Sequence, residues 1–334
     1  GATNLFGELY SSTLTPTVQL DALHGADATE TQSYSALGGN ATVVNRIFET
    51  ATSANIGSYA LIRSRDFNSF RSGESMIGRW LVKFDTNAAS TTQRIGLNNQ
   101  EQGLYIGYNG TQFGLLLASG ARADTRKITV TSYTGAQTVT VTLNGVVYGN
   151  ISILSGESIQ NAAQRIAAAI DGASWLARQT DNTATLLSAA VGPLNGTFSI
   201  ASSGNMVATI VQQTAGVAMT NTWCYAASGT PNMSYTQPTW LVPTDYNSYA
   251  IKYVWPRAVF YAFNSTTVQY EYIGRITSTA ALPFRNPTFK IFGVVQNSGS
   301  TAVDMDIPAM YAAVEGVEAL VTNTSSAAQT QVTL

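Results

Sequence analysis

His24 is the only histidine in the chain, so any imidazole chemistry rests on it alone. A catalytic base needs a paired carboxylate and a nucleophile within reach. Asp21 and Asp27 are near in sequence, but the stretch around them reads as an arm, and no catalytic role is assigned to His24. Paired acids are the other route, since two carboxylates can cleave a glycosidic bond. Glu74, Asp85, Glu101, Asp245, Glu271 and Asp306 are available in the strand-rich parts, and no spacing singles out two of them. A calcium loop needs alternating oxygen ligands followed by glycine; Asp304-Met305-Asp306 comes nearest and stops short. Cys224, the one cysteine, excludes an internal disulfide and a cysteine zinc site and is expected as a small buried hydrophobe. No catalytic residue, cofactor or metal is expected, and the chain is read as a protein without enzymatic activity.

Aromatic side chains offer a different chemistry. Trp223, Tyr225, Trp240 and Tyr246 lie in a turn-rich segment, where rings can stack on sugars; the same rings serve equally as core or loop anchors. These four are the candidate glycan-binding residues. Seven N-x-S/T sequons, at Asn40, Asn109, Asn150, Asn195, Asn232, Asn264 and Asn323, are candidate glycosylation acceptors, although a chain so rich in Asn, Ser and Thr produces several by chance.

The elements that must position these residues are nearly all strands. The exception is Leu154 to Gly172, where Ile159, Ala162, Ala163, Ile166, Ala167 and Ile170 repeat at helical spacing. Ser155 or Ser158 can cap its start, Glu157 suits the positive N-terminal end, and Gly172 can end it. Trp175 just beyond reads as a plug at the helix end. In Met76 to Thr86, Trp80, Val82 and Phe84 should face the core while Arg79, Leu81, Lys83 and Asp85 share the other parity. Val43 to Glu49 reads as one strand. Asn109-Gly110 and Asn144-Gly145, each between apolar runs, supply the positive backbone angles of tight type I′ hairpins. Five aromatic-rich strands after residue 247 follow the spacing of an antiparallel sandwich.

The fold class is therefore mainly β: an antiparallel β-sandwich interrupted by an inserted small α+β domain with one helix. Residues 1–45 are expected as an N-terminal arm and first strand, 46–120 and 217–319 as a discontinuous sandwich, 121–216 as the insert, and 320–334 as a polar tail. Neither half of the sandwich would close its edges alone. Charged residues are 11 % of the 334, with a net charge of −2 and no block of like charges, which removes the footprint expected for nucleic acid or an anionic membrane surface. No apolar run is long enough for a transmembrane helix, and the first ten residues lack the pattern of a signal peptide.

Several pieces together resemble a family of viral structural proteins of large DNA viruses of protists and of phages. They are GEL at 7–9, TPTVQLD at 15–21, SRDFNSFRSGE at 64–74, GLYIGYNGTQFGLL at 103–116, EYIGRI at 271–276 and NPTF at 286–289. The insert is similar to a module in phage tail-sheath-like proteins. The resemblance implies a lectin-like jelly roll that self-assembles as a homo-oligomer with other virion proteins, in a capsid, vertex or fibre, with the insert projecting outward and the virion as its location. It transfers no catalytic residue. The alternative is a glycan-binding adhesin on a virion surface, with host glycans as partners.

Overall fold

The computed structural model describes residues 15–23, 25–69, 75–99, 101–226, 228, 230, 232–254, 257–277 and 288–315. His24, Glu74, Asn323 and the 320–334 tail lie outside them. The chain divides into two compact units, one holding residues 1–97, 104–116 and 223–334, the other residues 98–103 and 117–222.

The first unit is an antiparallel β-sandwich. Its strands before the break are β1 (Thr15–Asp21), β2 (Thr31–Ala36), β3 (Asn40–Val44), β4 (Ile47–Ala51), β5 (Tyr59–Ser64), β6 (Asn68–Ser69), β7 (Ser75–Phe84), β8 (Thr91–Asn98), β9 (Gly103–Asn109) and β10 (Gln112–Ser119). The second unit contributes β11 (Ala123–Ser132), β12 (Gln137–Leu143), β13 (Val146–Ile153), α1 (Ile159–Ile170), β14 (Trp175–Thr180), β15 (Thr183–Val191), β16 (Phe198–Ser202) and β17 (Val207–Thr214). The chain then runs through β18 (Thr220–Tyr225), β19 (Met233–Tyr235), β20 (Asn247–Val254), β21 (Arg257–Asn264), β22 (Gln269–Ile276), β23 (Thr288–Asn297) and β24 (Asp304–Glu315).

One sandwich sheet runs β19-β22-β21-β20-β7-β24-β4-β3, with β1 also on β24; the other runs β18-β10-β9-β8-β23-β5-β2, with β6 on β23. Alternating side chains fill the space between them. Phe84 meets Tyr108 and Phe113 edge-on at 6.0 and 5.4 Å, and Tyr253 meets Phe289 at 6.3 Å. Gly293 lets the sheets approach, because a Cβ there would stand 2.2 Å from the Ile307 side chain on the facing sheet.

In the second unit α1 packs beside a four-stranded sheet, β14-β15-β11-β17, and a three-stranded sheet, β13-β12-β16. Ile128, Val139, Val141, Ile166, Ile170 and Trp175 share its core. The helix starts later than Ser155: Ser158 is its cap, accepting from the Asn161 N–H at 3.2 Å, which satisfies one of the open donors of the first turn. Glu157 turns aside to a bidentate pair with Arg165.

Four local expectations are corrected. The first strand expected within residues 1–45 forms as β1, but 31–44 are not an arm: β2 joins one sheet and β3 the other. Val43 to Glu49 is not one strand but the hairpin β3-β4, reversed at Asn45-Arg46, where both residues take positive φ of 51° and 66°. The β9-β10 turn falls at Gly110-Thr111, with Gly110 at φ +60° and Asn109 kept in its strand, whereas Asn144-Gly145 turns as expected with both φ positive. Trp223 and Tyr225 lie on β18 rather than in a loop. Among the described residues no helix is long and apolar enough to cross a membrane.

Candidate functional site

Parity along β7 separates two sets of side chains. Met76, Trp80, Val82 and Phe84 are buried in the sandwich, while Arg79, Leu81 and Lys83 face outward. Partners in an antiparallel ladder lie on the same face, so the registers extend Arg79 into a row. Tyr311 on β24 stands opposite Arg79, and Gln19 on β1 opposite Tyr311. On the other side Ala250 on β20 pairs with Arg79, Tyr261 on β21 with Ala250, and Tyr272 on β22 with Tyr261. The row crosses six strands, roughly 24 Å at the usual strand spacing.

Ala309 lies in a groove of about 330 Å³ lined also by Gln19, Arg79, Leu81, Ser248, Tyr270 and Tyr311. The Arg79 guanidinium lies 5.4 Å from the Tyr270 ring centre and 6.0 Å from that of Tyr311. Tyr270 is held by an edge contact with Phe263 at 5.4 Å and by its hydroxyl, 2.5 Å from Ser248 Oγ. Flat apolar faces, hydroxyls and a planar multi-donor cation thus converge on one cleft. That set suits a polyhydroxylated ring with an apolar face.

Further along the same face stands an acidic group. Tyr246 donates to Asp306 Oδ2 at 3.0 Å, and Lys83 Nζ lies 3.9 Å from the same oxygen and 5.9 Å from the Tyr246 ring centre. Asp304 and Asp85 are linked through the Asp304 N–H, which donates to Asp85 Oδ2 at 3.3 Å. Partial burial, then the charges of Asp85 and Asp306, raise the Asp304 carboxyl to about 6. Burial first, then the bond to Asp306, raises the Tyr246 hydroxyl. Among the described residues no group of three or more His, Cys, Asp and Glu is arranged to hold a metal ion.

The four glycan candidates separate. Trp223 and Tyr225 stack on each other at 5.8 Å and 9°, and Asn109 Nδ2 donates to the Tyr225 hydroxyl at 2.8 Å. Trp240 Nε1 donates to Glu271 Oε2 at 3.1 Å, and Glu271 also accepts from Asn264 and Thr267, bonds that hold its carboxyl below the usual range. Tyr246 belongs to the acidic group. Of the sequons, Asn264 is buried and Asn109 half-buried, each with its amide nitrogen already donating; Asn40, Asn150, Asn195 and Asn232 are exposed. Cys224 is fully buried, and burial raises its thiol.

Arg79, Ser248, Tyr270 and Tyr311 were not singled out by sequence. Half the signal was present, in the parity of β7 and the aromatic alternation of β21. The other half is strand order, which puts the last strand, β24, beside β7.

No family model matches the chain, and no curated protein matches it. Solved structures do. The Emp47p carbohydrate recognition domain is 10 % identical over 91 % of this chain and 97 % of that one, with a TM-score of 0.38. The exoplasmic/lumenal domain of VIP36, in a Ca²⁺/Man3GlcNAc-bound form, is 8 % identical over 90 % of both chains, with a TM-score of 0.40. A family 16 glycosyl hydrolase protein from Mycobacterium smegmatis is 10 % identical over 89 % of this chain and 100 % of that one, with a TM-score of 0.39. With glycosyl hydrolases among the similar structures, the expectation of a protein without enzymatic activity is withdrawn. No residue role is carried over at these identities.

Proposed function

We propose that the outward face of the nine-stranded sheet binds carbohydrate, with the chain held along the row from Gln19 to Tyr272. The observation that carries this reading is the Arg79 guanidinium beside both Tyr270 and Tyr311 in one groove. Stacking on the tyrosines would take the apolar faces of sugar rings, and Arg79, Gln19 and Ser248 would take their hydroxyls. A receptor-binding role on a virion surface is the setting we propose for it.

A panel of immobilised oligosaccharides tests the reading. Selective binding that is lost in Tyr270→Ala and in Tyr311→Ala supports it; a panel that stays silent with folded protein sinks it. Release of shorter products from any glycan that binds, compared between wild type and Asp304→Asn, measures hydrolysis in the same samples.

A further inference from the structure

The outward face of the eight-stranded sheet carries a cluster that the carbohydrate groove does not use. On β5 the side chains of Ala60, Ile62 and Ser64 are buried in the sandwich and Arg63 faces out. On β23 Phe289 and Ile291 face in, while Lys290 and Phe292 take the other parity, Lys290 half-buried and Phe292 buried opposite Arg63. On β8, which lies on the other side of β23, Ile95 and Leu97 face in and Arg94 faces out. Three adjacent strands therefore present Arg94, Lys290 and Arg63 on one face, with Arg65 just beyond β5.

Their surroundings are aromatic and nearly devoid of acids. The Arg94 guanidinium lies 5.4 Å from the Tyr105 ring centre, and Tyr105 meets Phe292 edge-on at 5.1 Å. Lys290 Nζ lies 4.5 Å from the ring centre of Phe67, which is exposed. The ion pairs among the described residues are Lys83–Asp306, Arg126–Asp124 and Arg165–Glu157, so none of these four cations is in one. Arg63 Nε donates to the neutral Gln32 Oε1 at 2.9 Å, and Arg94 Nε is buried with no acceptor. Burial first, and then Arg63, lowers the Lys290 ammonium, with Asp66 the one acid opposing them. Burial raises the Tyr59 hydroxyl, and the charges of Arg94 and Arg63 oppose that rise. Like charges collected on a half-buried surface repel, and a bound anion relieves both the repulsion and the open donors.

We propose that this face is a binding site for an organic oxyanion, a sulfate or phosphate ester. Arg63, Arg94 and Lys290 ligate the anion, and the exposed Phe67 packs the organic part. The site is separate from the groove and does not rest on the carbohydrate reading.

Calorimetric titration of the full chain with glucose 6-sulfate, glucose 6-phosphate and glucose tests it. At least one ester is expected to bind about tenfold or more tighter than glucose, the worth of one charge-assisted hydrogen bond, and binding should weaken as salt is raised. Preference for the sulfate or for the phosphate ester identifies which anion the site takes. Arg63→Gln and Arg94→Gln should each lower the affinity about tenfold, and Arg178→Gln, on the second unit, should not. Circular dichroism checks folding. Should a Gln variant not fold, Arg94→Lys keeps the charge while losing the planar fork, and a several-fold loss is expected from it. Esters that bind no better than glucose, or variants that keep full affinity, overturn the proposal. Binding confined to duplex DNA, with both esters silent, overturns it as well.

Discussion

Trp80 and Tyr249 stand opposite one another on β7 and β20, both buried in the sandwich, with Trp80 Nε1 and the Tyr249 hydroxyl lacking any hydrogen-bond partner. The Tyr249 hydroxyl is raised well above its ordinary value, by burial first and then by Tyr235 and Tyr108, so it stays neutral. A buried polar atom without a partner loses its hydration and regains nothing. Tyr249→Phe deletes that atom and keeps the ring that packs 5.9 Å from Phe84. It should raise stability by about 1 kcal/mol in urea unfolding. A loss of similar size would mean that the hydroxyl is bonded in solution.

The same two strands turn Arg79 and Ser248 outward, and the groove separates two readings of the aromatics. Tyr270→Ala and Tyr311→Ala should each weaken glycan binding about tenfold, the worth of one ring stack. Trp240→Phe should leave affinity unchanged, because the Trp240 N–H is spent on Glu271. Equal losses in all three, measured by titration, would move the site toward Trp240.

Much of the fold was legible because its signals are local. Helical spacing from Ile159 to Ile170 and the Asn144-Gly145 turn depend on neighbours in sequence, and both formed as read. Asn45-Arg46 failed because arginine seldom takes positive φ, and here the pairing of β3 with β4 imposes it. The groove was illegible for a different reason. Arg79 and Tyr311 are far apart in the chain, and nothing in either strand announces the register that joins them. Trp223 and Trp240 drew attention by residue type, while the tyrosines that line the groove looked like ordinary strand aromatics.

The acidic group sets a pH dependence whose sign follows from Asp304. Its carboxyl is raised from 3.8 to about 6, so the folded chain holds that proton more tightly than the unfolded chain. The associated stability is complete below about pH 4 and is lost as pH rises through about 6. Asp304→Asn keeps the side-chain shape and cannot ionise. Because the residue is exposed and solvent-screened, the variant should gain no more than about 1 kcal/mol above pH 7 and nothing below pH 4. Thermal unfolding across that range reads the difference, and a gain that grows toward acid pH would refute the assignment.

The second unit contains a charge pair whose strength lies in its surroundings. Asp124 is buried, and it accepts from Arg126 Nε at 2.8 Å and from Gln212 across the β11-β17 ladder. The Arg126 guanidinium lies 3.2 Å from the centre of the Phe198 ring, so its charge is covered on one side by an aromatic face and balanced on the other by the carboxylate. Removing the acid strands a mostly buried cation and a glutamine amide together. Asp124→Ala should therefore destabilise this unit by about 3–5 kcal/mol, well beyond the effect of breaking an exposed pair. Asp124→Asn keeps the acceptor for Gln212 but not the charge for Arg126, and should fall between the variant and wild type. Amide exchange at Ile128 and Val130 reports the loss directly, because both are core residues of the β11 strand that carries the pair. If Asp124→Ala costs no more than the exposed pair Arg165–Glu157, tested by Arg165→Ala, then solvent reaches Asp124 and burial does not set its worth.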